Sequence, residues 1–245
     1  EERELAAMVR AFADEQVAPR AYEADRTKTL PLDVVAAMGE MGLFGLPFPE
    51  EVGGQGGDYV ALGLAIEALG RVDQSIAITL EAGVSLGAMP IFRFGTDAQR
   101  AQFLPNLLAG RALAGFGLTE PEAGSDAGST RTTARLEGAE WVIDGAKQFI
   151  TNSGTAITQF VTVTAVTGHR GDRKEISTII VPNGTAGFEV GPAYDKVGWH
   201  ASDTHPLIFT GARVPEANLL GERGRGFANF LSILDEGRVA IAALA

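Results

Sequence analysis

The segment Phe116-Gly117-Leu118-Thr119-Glu120-Pro121-Glu122-Ala123-Gly124-Ser125-Asp126 sets small residues and hydroxyls directly after a short apolar strand and a proline turn. Such a loop lets backbone approach a ligand closely and offers N–H and O–H donors to it. By composition alone an ordinary surface turn is the better account. Further along comes Gly145-Ala146-Lys147-Gln148-Phe149-Ile150-Thr151-Asn152-Ser153-Gly154. An aromatic ring two positions before a threonine, on a strand edge, can present a ring face and a hydroxyl to one flat ligand. The alternative is a core Phe149 with Thr151 pointing into solvent. Neither segment specifies a reaction by itself.

The elements around them change period along the chain. Leu5, Val9, Phe12 and Ala13 keep helical spacing until Pro19, and Pro31 is placed to start a second helix through Met38 and Met41. After the glycine-rich stretch 53–57, apolar helices are expected over Asp58 to Gly70 and Ser75 to Leu86. Thr96-Asp97-Ala98-Gln99 fits a capping box. Beyond Gly110 the pattern is that of strands: Glu140 to Gly145, with Asp144-Gly145 a hairpin signal, then Phe160 to Val166, Ile176 to Val181 and Pro206 to Phe209. The fold class predicted is α+β: an all-α part, then a small antiparallel β-barrel or sandwich, then helix again. In the last helix Phe227, Phe230, Leu231, Leu234, Arg238, Ile241 and Leu244 are expected on one stripe. With no capping residue at Ala245 and nothing of its own to pack on, that helix reads as truncated.

Composition narrows the chemistry. Twenty Lys and Arg against 31 Asp and Glu give a net charge of −11, without any basic run, which argues against a nucleic-acid partner. An anionic cofactor remains compatible, because a few N–H groups and hydroxyls can hold a phosphate locally. The absence of cysteine rules out disulfides, thiolate metal sites and cysteine nucleophiles. His169, His200 and His205 have no partner at metal-ligand spacing. No stretch is read as approaching the ~20 apolar residues of a membrane span, and no signal peptide opens the chain. The expected location is the cytoplasm, or the mitochondrial matrix in a eukaryote.

Taken together, Thr119-Glu120-Pro121-x-Ala123-Gly124-Ser125-Asp126 and Gly145-x-Lys147-x-Phe149-Ile150-Thr151-Asn152 resemble the acyl-CoA dehydrogenase family. The resemblance extends over the chain: Gly42 to Gly57, Phe103 to Gly110, Asp195 to Gly198 with Asp203-Thr204, Val214-Pro215 to Gly221, and Gly224 to Phe227 all fit in order. It implies an N-terminal helical domain (1–111), a middle β domain (112–221) and the start of a C-terminal four-helix bundle (222–245). It also implies FAD as cofactor and α,β-dehydrogenation of an acyl-CoA thioester in fatty-acid metabolism. Electrons would pass to an electron-transfer flavoprotein, and the full-length protein would form a dimer or tetramer. The same fold also serves acyl-CoA oxidases and flavin monooxygenases, and a non-catalytic homologue that only holds FAD or CoA is a further alternative.

The resemblance also implies a role for each of several residues. Phe116 to Ser125 would run along FAD, with Leu118 and Thr119 at the pyrimidine edge and Gly124 and Ser125 at the pyrophosphate. Ser125 would also lie beside the pantetheine. Phe149, often Trp in the family, would flank the flavin, with Ile150 behind it and the Thr151 hydroxyl on flavin N5. Asp235 and Arg238 match the family's Asp-x-x-Arg and would contact the CoA pantetheine, although an Asp and Arg three apart on a helix also form an ordinary surface pair. Gly237 stands where isovaleryl- and long-chain-type members carry the catalytic glutamate. No catalytic residue is therefore assigned within the chain, and the base is expected beyond Ala245. Glu236 faces about 100° away from that position on a helix. Arg170, Arg173 and Lys174 form a basic loop that reads as solvated before it reads as a CoA-phosphate site. His200 reads as structural, and Glu81 either borders the acyl tunnel or is a solvated helix charge.

Overall fold

The computed structural model describes residues 2–245. Its first half is helical, as expected. Helix α1 (Glu2–Phe12), a π turn (Ala13–Val17) and α2 (Ala18–Thr27) run on as one rod. Pro19 therefore does not end the first helix. The π turn shifts the hydrogen-bond register just before it, so the missing proline N–H falls in the first turn of α2. Helix α3 (Leu32–Glu40) follows Pro31, and α4 (Tyr59–Gly70) starts where the Asp58 carboxylate accepts the Val60 and Ala61 N–H groups at 2.9 and 3.0 Å. The expected helix from Ser75 to Leu86 is longer: α5 (Gln74–Glu81), a π turn (Ala82–Ala88) and α6 (Met89–Phe94) form one run. Helix α7 (Asp97–Leu108) carries the capping box, with Thr96 and Gln99 satisfying each other's N–H groups.

The run from Gln74 to Phe94 corrects one reading. It is 21 residues long with a mean hydropathy of 1.5, long and apolar enough to cross a membrane, but its apolar window is 89% buried inside the protein. It is the central core helix of the helical half, and polar neighbours in the sequence hide its length from a simple count.

The second half is an eight-stranded sheet. Its strands are β1 (Leu113–Gly117), β2 (Thr133–Glu137), β3 (Glu140–Thr151), β4 (Thr158–Arg170), β5 (Arg173–Pro182), β6 (Phe188–Val190), β7 (Thr204–Pro215) and β8 (Leu219–Leu220). They are ordered β6-β7-β3-β2-β4-β5-β8, with β1 parallel to β4 off that path. The sheet is open and does not close into a barrel, and β1 and β2 meet β4 in parallel within an otherwise antiparallel sheet. Asp144-Gly145 is not a hairpin turn either. At φ +148° Gly145 makes an irregularity inside a continuous β3, with the Thr132 side chain packed where a Cβ would stand. The hairpin turn falls at Gly138, which has φ +64°.

Helix α8 (Gly226–Leu244) has much to pack on: it lies across α4 and α5. The face it buries is Phe230, Ile233, Gly237, Ala240 and Leu244, whereas Leu231 and Ile241 are 41% and 42% exposed and Arg238 lies on the surface. The stripe is rotated from the expected one because the small residues Gly237 and Ala240 let the helix approach its neighbours closely. Phe230 stacks on Phe116 of β1, with ring centroids 3.7 Å apart.

One polar contact fastens the loop after β1 to the sheet. Lys147 on β3 is fully buried and places its ammonium 2.7 Å from Glu120 Oε1, 3.0 Å from Thr164 Oγ1 and 3.3 Å from the Leu118 carbonyl. The Glu120 carboxylate also accepts the Thr130 hydroxyl and the Arg131 and Thr132 N–H groups. Burial pushes the Glu120 carboxyl up, but the Lys147 charge and these hydrogen bonds outweigh it and hold the group at about 2. Burial also pulls Lys147 down, against the charge of Glu120.

Two stability measurements check this packing. Phe230→Ala should lower the unfolding free energy by about 3–5 kcal/mol in urea titrations, while Leu231→Ala on the exposed face should change it by under about 1 kcal/mol. Similar losses from both would contradict the packed face. Lys147→Met should cost about 3–5 kcal/mol at neutral pH by stranding a buried carboxylate, and Glu120→Gln combined with it should lose markedly less. Because the Glu120 carboxyl is depressed, its contribution is complete above the ordinary carboxylate range and is lost as pH falls toward 2. The acid limb of the stability profile should therefore flatten in the double variant.

Candidate functional site

The loop after β1 and the end of β3 meet side by side. Gln148 N–H donates to the Thr119 carbonyl at 2.8 Å, continuing the sheet past Gly117. Glu120 and Ala123 exchange backbone hydrogen bonds of 3.0 and 3.2 Å, so Pro121 and Glu122 form a tight outward turn. Gly124 and Ser125 follow, exposed, and Lys174 closes the far side of the loop by donating to the Ser129 and Thr130 carbonyls at 3.1 and 2.8 Å. Lys174 is thus held against this loop, while Arg170 reaches Glu175.

At the edge of β3, Phe149 has φ +61° and its ring is 60% exposed, 4.8 Å from the ring of Tyr194. It is therefore not a core residue. Ile150 is buried beneath it, and Thr151 is half-buried, paired in the sheet with Thr204. Asn152, also left-handed at φ +59°, donates its side-chain amide to the Thr79 carbonyl on α5 at 3.2 Å. Among the described residues nothing hydrogen-bonds the hydroxyls of Thr119, Ser125 or Thr151. An exposed ring beside the free Thr151 hydroxyl, with further free hydroxyls at Thr119 and Ser125 on the loop, offers the groups that a large flat ligand with a polar rim and a phosphate arm needs.

Other sequence candidates lie apart. Asp235 and Arg238 pair with each other at 2.7 Å on the outer face of α8, 68% and 75% exposed, and no contact ties them to the loop or to the β3 edge. His200 bridges Asp25 and the Lys196 carbonyl at 2.9 and 2.7 Å, joining a loop to α2. Glu236 is taken up by Arg93 and by the Tyr59 hydroxyl. Glu81 is not a solvated charge: it is buried, and burial pushes its carboxyl up to about 7. Its Oε1 lies 3.4 Å from where a Cβ on Gly237 would stand, so the structure brings these two positions together.

Two groups that shape the site escaped the sequence reading. The Lys147–Glu120 pair was visible only as two letters of two motifs, although a lysine on the inward parity of a strand is a usable signal. The second is Asp203 with His205. The Asp203 carboxylate takes the Gly154 N–H at 2.8 Å and faces His205 Nε2 at 2.9 Å. Nothing in the local pattern singles it out, because its partner turn is some fifty positions away in the chain.

The family model for the acyl-CoA dehydrogenase N-terminal domain matches residues 1–111, and that for the acyl-CoA dehydrogenase middle domain matches residues 115–212. A probable acyl-CoA dehydrogenase of Bacillus subtilis, YngJ, is 48% identical over 246 residues, covering 100% of this chain and 64% of that protein. Butyryl-CoA dehydrogenase from Megasphaera elsdenii superposes with a TM-score of 0.93 at 37% identity, covering 99% of this chain and 64% of the other. An acyl-CoA dehydrogenase of Bacillus anthracis complexed with FAD gives a TM-score of 0.90 at 36% identity, covering 99% and 41%. The chain thus spans under two thirds of the length of these curated relatives. A helical half, an open sheet and a closing helix, matched from one end of the chain to the other, make this chain a member of the acyl-CoA dehydrogenase family.

Proposed function

We propose that the protein containing this chain is an FAD-dependent acyl-CoA dehydrogenase that converts an acyl-CoA thioester to the trans-2-enoyl-CoA and hands the electrons to an electron-transfer flavoprotein. The observation that carries this reading is the juxtaposition of the Leu118–Ser125 loop with the Phe149–Thr151 edge, clamped from below by Lys147 and Glu120 and rimmed by unpartnered hydroxyls. On this reading the domains divide at 1–111, 112–221 and 222–245, and the full-length protein works as a dimer or tetramer inside the cell.

When bound, FAD supplies the acceptor for the hydride leaving the β-carbon. The chain's own part is to hold and orient. Phe116, buried under Phe230, fixes the course of the loop, and Leu118 and Thr119 offer backbone and hydroxyl at the ring's pyrimidine edge. Gly124 and Ser125 offer an open backbone and a donor to the pyrophosphate arm, and Ser125 also borders the pantetheine. Phe149 would flank the flavin with Ile150 buried beside it, and the Thr151 hydroxyl would be the donor to flavin N5. Asp235 and Arg238, paired and exposed on α8, would contact the CoA pantetheine.

The α-proton needs a carboxylate base. Gly237 provides none, and on this reading the base lies beyond Ala245. One observation favours a second reading: Glu81 is buried beside Gly237 with its carboxyl raised to about 7, a suitable value for a base at neutral pH. Glu81→Gln should leave the rate of flavin reduction within about twofold if the base lies beyond Ala245. A loss of roughly a hundredfold or more would move the assignment to Glu81.

The principal experiment is to purify the full-length protein, measure its flavin content and add acyl-CoAs of increasing chain length under anaerobic conditions. Bound FAD should bleach with at least one of them. A protein that neither carries nor takes up FAD would refute the proposal, and fast reoxidation by oxygen would move it to an oxidase. Thr151→Val should keep FAD content and slow reduction by a factor corresponding to roughly 2–4 kcal/mol. An unchanged rate with flavin intact would remove Thr151 from its role.

A further inference from the structure

The turn that ends β3 is held by a charged pair that no motif announces. Asp203 approaches it twice: its carbonyl accepts the Asn152 N–H at 3.1 Å and its Oδ2 accepts the Gly154 N–H at 2.8 Å. Its other carboxylate oxygen lies 2.9 Å from His205 Nε2, and His205 Nδ1 lies 2.7 Å from the Gly191 carbonyl. Both neighbours of the ring are acceptors only, so both ring nitrogens must donate, and the ring that satisfies this arrangement is the imidazolium. The hydrogen bond to Asp203 raises the His205 pKa above its ordinary value, against the opposing effect of burial. The ring also packs directly on Gly154, where a Cβ would overlap it. In the sheet, Ile150 pairs with His205 and Thr151 with Thr204.

We propose that His205 is a positioning residue: as a cation it locks Asp203 onto the Asn152–Gly154 turn and so fixes the Phe149–Thr151 edge for the flavin. The proposal rests on the flavin reading above. A neutral imidazole has only one N–H, so either the Gly191 carbonyl or the Asp203 carboxylate would face a nitrogen lone pair. Asp203 would then turn away and release the Gly154 N–H, leaving the left-handed residues Phe149 and Asn152 less firmly held. Among the described residues, the other charged or titratable groups lining this site are Lys28, Tyr194, Asp195, Lys196 and His200. Lys28 is paired with Asp195, and His200 with Asp25. Lys196 donates to the Ser202 carbonyl and the Thr204 hydroxyl, and its charge acts on His205 to lower the pKa. Lys196 and His200 both lie close enough for their own titration to imitate the effect, and the arginine variant, which keeps both, separates them from His205.

The test uses the full-length protein, wild type and two variants. His205→Arg keeps a permanent cation with donors for both acceptors, and His205→Gln supplies a neutral side chain. The His205 imidazole resonance is followed by NMR in the apoprotein to find the pH range over which it titrates, with the Gly154 amide exchange rate measured alongside. FAD affinity is then measured across that range. The expected result is a wild-type affinity that falls about tenfold as the ring deprotonates, with faster Gly154 exchange. The arginine variant should stay tight throughout, and the glutamine variant should be weak throughout. A purely structural role would lower affinity in the variants without moving the pH profile. Equal pH slopes in all three proteins, a slope that persists in the arginine variant, or an imidazole that titrates at or below its ordinary value would each overturn the proposal while leaving the flavin reading intact. Failure of every protein to bind FAD at any pH would overturn the flavin reading and the positioning role with it.

Discussion

The buried pair of Lys147 and Glu120 is the contact on which the geometry of the site depends. A charged amine and a carboxylate withdrawn from water are tolerated only if each is fully satisfied, and here each is. The ammonium has Glu120, two hydroxyls and the Leu118 carbonyl; the carboxylate has the ammonium, the Thr130 hydroxyl and two backbone N–H groups. Those groups come from two strands, β3 and β4, and from both ends of the segment that links β1 to β2. The pair therefore acts as a rivet through the loop, and it leaves the loop's outer hydroxyls free because its inner polar groups are already matched.

The opposite edge of the site is held under strain. Phe149 and Asn152 both adopt positive φ, which non-glycine residues seldom do without compensation. The compensation is local and dense. Asn152 spends its amide on Thr79, its N–H on Asp203 and its carbonyl on the Thr158 hydroxyl, and the Ser153 hydroxyl caps the Ile150 carbonyl at 2.6 Å. What this arrangement gains is an aromatic ring turned outward from a strand that would otherwise bury it. The contact from Asn152 to α5 also joins the edge directly to the helical half.

Much of this was readable from the residues, and the failures have common causes. Asp58, Thr96 with Gln99, and Pro31 marked helix starts correctly, because capping is decided within a few neighbouring residues. The β4 and β5 strands were legible as β-branched runs. Asp144-Gly145 misled because the dipeptide signals an intrinsic preference, while the Thr132 side chain on the neighbouring segment decides that Gly145 bulges instead of turning. The α8 face was misassigned because glycine and alanine carry no hydrophobic signal, yet Gly237 and Ala240 are where the helix comes closest to its neighbours. In the site, the motif residues on the loop and on β3 were identifiable, but the groups that hold them were not. Lys147, Glu120, Asp203 and His205 act over separations that no local pattern encodes.

The core run from Gln74 to Phe94 carries a consequence for how the chain is made. It is buried on all sides in the finished protein, and its cover comes from parts that lie far apart in sequence: α4 just before it, β1 after it and α8 much later. At ribosomal speeds of about 5–20 residues per second, the interval between the emergence of Phe94 and that of α8 is on the order of ten seconds. For that interval the growing chain displays a segment as apolar as a membrane anchor with one flank uncovered. Apolar surface left open in this way is prone to aggregation, so the order in which the cover is synthesised bears on whether the chain reaches its fold.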